Sequence, residues 1–262
     1  MSKPPQNKPG ILLVLALVGA LLFVLPLIGL LARTPWGSLG GELTSEVVVD
    51  ALLLSLVTSI LAAVFSMILG VPLAWVLART DLPGRTITRA VVTLPMVLPP
   101  VVGGAALLFA LGRRGVVGEP LESAFGLVLP FSIWGVVIAN VFVAMPFVVV
   151  TVEGALRNVD QRYEHAARSL GASPLTVFRR VTLPSIRSSL IAGAVLAWAR
   201  AFGEFGATVT FAGNLQGRTQ TLPLAVFVAL ESNRDAAVAI SLLMVAISLF
   251  VLVALRDRWW RA

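Results

Sequence analysis

Cysteine is absent from this chain. No disulfide framework exists, and thiols say nothing about compartment. Histidine occurs once, at His165, which excludes a zinc site built from Cys and His within one chain. Lysine is almost as scarce: Lys3 and Lys8, both in the N-terminal tail. A P-loop needs Gly-x-x-x-x-Gly-Lys followed by Ser or Thr, and neither lysine stands in one. Any ATP that drives this protein by that route is therefore used by another polypeptide. Charge as a whole is thin. Only 13% of the 262 residues are charged, where a soluble domain carries about 25%.

What fills the space is apolar, 58% of the chain. The class is integral membrane and all-α, because backbone groups in lipid must be satisfied within their own segment. The ten-residue alternation of an outer-membrane barrel is missing. Six apolar segments are long enough, or nearly so, to cross roughly 30 Å of hydrocarbon. They fall near 11–31, 51–78, 91–111, 130–155, 188–211 and 236–256. The first follows two lysines, like a signal peptide. Its length and the poor cleavage site at Arg33-Thr34-Pro35-Trp36 argue for a retained span. Residues 1–10 read as a short tail and 11–262 as a single transmembrane domain.

The basic residues choose a side. With the N-terminus inside, the cytoplasmic set is Lys3, Lys8, Arg79, Arg85, Arg89, Arg157, Arg162, Arg168, Arg179, Arg180, Arg187, Arg256, Arg258 and Arg261. The opposite side holds Arg33, Arg113, Arg114, Arg218 and Arg234, five against fourteen. The positive-inside rule then places both termini in the cytoplasm. The net charge of +7 collects in loops on one side, so nucleic acid is not the expected partner.

The longest inside loop, about 157–187, contains a shaped polar segment. Residues 164–184 read E-H-A-A-R-S-L-G-A-S-P-L-T-V-F-R-R-V-T-L-P. Tyr163, Ala166, Ala167 and Leu170 fall at i, i+3, i+4, i+7, a helix face made mostly of small side chains. Gly171 ends that helix, and Ser173-Pro174 starts another with Ser as N-cap and Pro at the first helical position. Such a face suits docking in a groove of a soluble partner. Glu164 and Arg168, at i, i+4, pair along the helix or reach that partner.

Within the spans, Pro95, Pro99 and Pro100 interrupt the third, followed by Gly103-Gly104. The helix must kink or break there. It is either a bent packing helix or a pore-lining element that changes shape. Ala62, Ser66 and Gly70, and Gly193, Ala197 and Ala201, form small-residue rows that allow close helix contact. Arg200 and Glu204 lie within the fifth segment at i, i+4, where ionisable groups are expensive. They are either a self-neutralising structural pair or groups that meet a passing divalent oxyanion or hold a gate. Glu153 reads as interfacial. The loop at 212–235, with polar Asn214, Gln216, Arg218, Thr219 and Gln220 followed by a short apolar stretch from Leu222-Pro223, reads as an outside loop that meets a partner or simply caps the bundle.

The 164–184 segment resembles the EAA loop of permease subunits of ATP-binding-cassette (ABC) importers, in the positions Glu164, Ala166, Ala167, Gly171, Val181, Leu183 and Pro184. His165 interrupts the Glu-Ala-Ala string. A second stretch narrows the branch. Gly203-Glu204-Phe205-Gly206-Ala207-Thr208, Gly213-Asn214 and Thr219-Gln220-Thr221-Leu222-Pro223 resemble the molybdate/tungstate oxyanion permeases. The resemblance implies a type I importer (MetI-like) fold in the cell (inner) membrane. It implies a path formed by two copies of this chain, two ATPase subunits that bind ATP and Mg, and an extracytoplasmic solute-binding protein. A coupling helix near 161–171 would dock on the ATPase, with Glu164, Ala166, Ala167, Arg168 and Gly171 as its residues. Arg200, Glu204, Pro99 and Pro100 would belong to the path or gate. No cofactor or metal is expected in this chain, and no catalytic residue: there is no nucleophile–base pair. A sulfate or thiosulfate permease is the alternative within the family. An ion-coupled secondary transporter is the alternative outside it, disfavoured because only Glu153 and Glu204 are embedded and no inverted repeat is visible.

Overall fold

The computed structural model describes residues 10–81 and 83–259, and among them no strand occurs. The proposed tail lies outside that range except for Gly10. The helices in chain order are α1 (Gly10–Ala32), α2 (Leu39–Leu43), α3 (Glu46–Arg79), α4 (Arg85–Thr93), α5 (Pro100–Leu111), α6 (Gly118–Phe125) and α7 (Ile133–Asn158). Then follow α8 (Arg162–Ser169), α9 (Pro174–Val177), α10 (Leu183–Ser185), α11 (Arg187–Phe202), α12 (Gly206–Phe211), α13 (Leu222–Ser232) and α14 (Arg234–Trp259). A 3-10 turn at Leu94–Met96 extends α4, and a π-helical stretch at Phe178–Thr182 joins α9 to α10.

Four helices, α1, α3, α7 and most of α14, are long and apolar enough to cross a membrane. Two further crossings exist if each bent pair counts as one span: Arg85–Met96 with Pro100–Leu111, bent by 117°, and Pro174–Ser185 with Arg187–Phe202, bent by 77°. Six crossings are thus reached only with both bent pairs counted, and the second pair, at 174–202, begins well before the fifth expected segment at 188–211.

In the third segment Pro99 stands before α5 with extended ψ (130°) and Pro100 takes its first position. A residue before proline is pushed out of the helical region, so Pro99 breaks the chain direction where Pro100 restarts it. The fifth segment, expected as one helix over 188–211, is in fact interrupted. Helix α11 ends at Phe202, and α12 starts after Gly203, Glu204 and Phe205. Apolar composition alone hid this break. Its cause is a side chain: the Glu204 carboxylate accepts a 2.7 Å hydrogen bond from the Ala207 N–H and so caps a new helix.

The core is a bundle of α3, α7 and α11 around Ala62, Ala74, Val148, Val152, Leu156, Ala197 and Ala201. The small-residue rows lie at this junction. A Cβ on Gly70 would stand 3.2 Å from Val148 Cγ1, so the helices meet at near-minimum separation. Helix α13 packs with α14 against the N-terminal part of α3, sharing Val48, Phe202, Leu222, Ala225 and Ile240. It is an 11-residue apolar helix inside what the sequence offered as an outer loop. Thr219 and Gln220 of that loop are buried, while Leu215–Arg218 remain exposed. Helix α1 buries none of its residues, as suits a helix whose sides face lipid or another chain.

Candidate functional site

Helix α8 begins where Asp160 Oδ1 accepts the Arg162 N–H at 2.9 Å. It ends in a Schellman motif: the Ala172 N–H reaches Ala167 O at 3.1 Å and the Gly171 N–H reaches Arg168 O at 2.9 Å. Gly171 takes φ +83°, which a side chain resists, although a Cβ there would meet only open space. The chain then turns through Ser173, whose hydroxyl accepts the Thr176 N–H at 3.3 Å, into Pro174 and α9. Helix, glycine stop and capped restart all stand where the residue pattern puts them.

The faces of α8 are unequal. Tyr163, His165, Ala166 and Leu170 are exposed, with Leu170 at 89% of its full accessible area. A leucine that open, one turn from an exposed alanine, is a surface without its cover. Glu164 points the other way and is 3% exposed. Its Oε1 accepts from Arg79 Nη2 at 3.1 Å and from Thr182 Oγ1 at 3.1 Å, and Arg168 Nη2 stands 4.0 Å from Oε2. Glu164 therefore does not reach outward to a partner; it fastens α8 to the end of α3 and to the π-helical stretch. Arg79 and Thr182 were not singled out from the sequence. Nothing in their local patterns pairs them with a residue 85 or 18 positions away.

A second ionic knot lies nearby. Glu153 on α7 is 6% exposed and takes Arg89 of α4 at 2.5 Å and Arg157 at 2.7 Å. The acid read as interfacial thus holds α4 against α7 from within.

The residues named for the path gather at the break between α11 and α12. Arg200 Nη1 lies 2.5 Å from Glu204 Oε2. Glu204 is 2% exposed, and its other oxygen caps α12. Pro100 arrives at the same place: a Cβ on Gly206 would stand 2.7 Å from Pro100 Cβ. A Cβ on Gly104 would stand 2.8 Å from both Ala207 O and Thr210 Cβ. So α5 and α12 touch backbone to backbone, and Thr208 adds a buried hydrogen bond to Asn140 of α7 at 3.4 Å. Pro99 and Pro100 nevertheless remain exposed. Among the described residues no group of three His, Cys, Asp or Glu is placed to hold a metal ion.

A lipid-embedded helical bundle with two broken spans and an uncovered helical knob on its longest basic loop defines a transport subunit of the membrane. The comparisons give the class its name. Residues 66–261 match the family described as the binding-protein-dependent transport system inner membrane component, and the chain belongs to that family. It is a ModB-like permease subunit of an ABC importer, not an enzyme. The molybdenum transport system permease protein ModB of Mycobacterium tuberculosis is 44% identical over 257 residues, 97% of this chain and 96% of its own. The protein of the same description from Escherichia coli K12 is 42% identical over 210 residues, 80% of this chain and 92% of its own. The sulfate transport system permease protein CysT of Salmonella typhimurium is 36% identical over 239 residues, 90% of this chain and 86% of its own. The fold is that of a bacterial ABC transporter that imports alginate, with TM-score 0.76 and 18% identity over 96% of this chain and 94% of that one. It also matches the inward-facing MetNI methionine transporter, with TM-score 0.58 and 19% identity over 79% of this chain and 91% of that one.

Proposed function

We propose that this permease carries molybdate, or the isosteric tungstate, into the cytoplasm. The observation that carries the substrate is the 40–44% identity to several proteins named as molybdenum permeases. A sulfate permease stands further off at 36%, which makes sulfate the second reading. Two copies of the chain enclose the path, a binding protein outside delivers the anion, and a separate ATPase pair inside supplies ATP and Mg. Both termini and the 157–187 loop face the cytoplasm, as the arginine bias requires.

Coupling then follows from the two faces of α8. Tyr163, Ala166, Ala167 and Leu170 enter a groove on the ATPase, the small alanines letting the helix sit deep. Gly171 allows the tight exit, and Arg168 flanks the contact. Glu164, tied to Arg79 and Thr182, carries any displacement of the knob to α3 and to the root of α11. ATP binding shifts the permease only if the ATPase contacts differ between its inward-facing and outward-facing states. Rigid fastening by Glu164 makes that difference felt in the spans rather than lost in a loose loop. Arg200 and Glu204, with Pro99 and Pro100 beside them, set the shape of the path at the α5–α12 contact. There Arg200 is mainly a structural partner of Glu204 and leaves only a weak positive field for the anion, which a carrier that must release its cargo requires.

Isothermal calorimetry on the binding protein encoded with this permease tests the substrate. Tight molybdate and tungstate binding is expected; tight sulfate binding with none for molybdate would overturn it.

A further inference from the structure

Arg179, Arg180 and Arg187 have no place in the coupling scheme. They sit on or beside the segment Pro174–Ser185, which meets α11 at 77°. If α11 tilts by about 20°, as spans do, that segment lies within roughly 35° of the membrane plane. Only Ile186 separates it from α11, so it lies directly at the end of that helix. Its roll is fixed. Val177 and Thr182 are buried, and Phe178 packs edge-on against Trp75 with ring centroids 6.0 Å apart. The opposite face presents Leu175, 65% exposed, with Arg179 one turn on. Leu175, Thr176, Arg179 and Arg180 line a recess of about 400 Å³. Among the described residues no carboxylate lies within 4.0 Å of Arg179, Arg180 or Arg187.

We propose that this in-plane helix binds the phosphodiester headgroup of an anionic phospholipid. Arg179 and Arg180 flank the phosphate in the recess, and Arg187 adds charge at the elbow. Leu175 faces the acyl boundary. An exposed leucine beside arginines is the make-up of an interfacial helix, whose apolar side enters the lipid while its cations stay among the headgroups. The side of the membrane rests on the orientation proposed above, but the binding itself does not involve the transported anion.

The test is native mass spectrometry of the full-length permease, purified with its ATPase and exchanged into nanodiscs of equal phosphatidylglycerol and phosphatidylcholine. Phosphatidylglycerol is expected to be retained preferentially. R179Q/R180Q should reduce that preference by more than tenfold, since each arginine near an anionic surface is worth roughly a factor of five. R179K/R180K should keep most of it, which separates lost charge from lost folding. Equal retention by wild type and R179Q/R180Q would overturn the proposal. So would release of the ATPase from R179Q/R180Q with lipid preference unchanged, which would make the arginines a protein contact. Displacement of the lipid by millimolar inorganic phosphate would reassign the recess to a free anion. Each of these results leaves the substrate reading standing.

Discussion

Glu164→Gln tests how force would reach the spans. The substitution keeps the shape and removes the charge. Arg79, 5% exposed, then loses its carboxylate inside a packed junction. Leaving one member of a buried ion pair alone costs about 3–5 kcal/mol, or roughly two to four decades in the equilibrium between a fastened and a detached α8. The spans themselves do not depend on this pair, since the α3–α7–α11 core is apolar. Hydrogen exchange should therefore rise in the amides of 163–170 and not in those of 140–156. In proteoliposomes the ATPase should remain bound while hydrolysis no longer responds to the loaded binding protein. Replacing both partners by Met should recover much of the protection and the response, because a buried pair is often exchangeable for apolar packing of similar volume. Unchanged exchange in Glu164→Gln would refute the fastening. Unchanged coupling with raised exchange would show that the knob works without a rigid root.

Gly171→Trp forces a bulky residue into a left-handed conformation at about 1–2 kcal/mol and places a large ring beside the exposed face. The protein should still reach the membrane, while transport-linked ATP hydrolysis is abolished; normal stimulated hydrolysis in reconstituted complexes would sink the docking role. Glu204→Gln removes the charge that pairs with Arg200 and weakens the cap of α12. Thermal stability in detergent should fall by several degrees with the apparent KM for the anion unchanged. A raised KM at unaltered stability would instead put Arg200 in contact with the cargo.

The number of spans, the α8–Gly171–Ser173 turn and the proline break were legible because each has a local chemical cause. Proline at positions 99 and 100 cannot continue a helix, glycine at 171 admits positive φ, and serine at 173 caps its neighbour. The break at 203–205 was not legible. Its residues are mostly apolar or small, and what stops α11 there is a carboxylate turning to cap the next helix. Spacing suggested that Arg200 and Glu204 share a helix; Arg200 stands in the last turn of α11 and Glu204 in the break that follows it. The direction of Glu164 was hidden for a different reason. Helical periodicity puts it beside Arg168, and only the return of the chain from α9 to α11 brings Thr182 and the end of α3 around it. The inner knot of Glu153 with Arg89 has the same origin, a contact 64 residues apart in the chain.

The bend of 117° at 97–99 sits between two clamped arms. On one side Arg89 pins α4 to α7 through Glu153. On the other, Gly104 and Gly206 seat α5 on α12 without room for a methyl group, and a Cβ on Gly103 would collide with Phe142 at 2.8 Å. Between them Val97 is 84% exposed. Both arms are thus anchored to the one helix α7, at Glu153 and at Phe142, and Val97, Leu98 and Pro99 alone carry the chain from one anchorage to the other; a change in the angle between the arms would be taken up as torsion in those three residues.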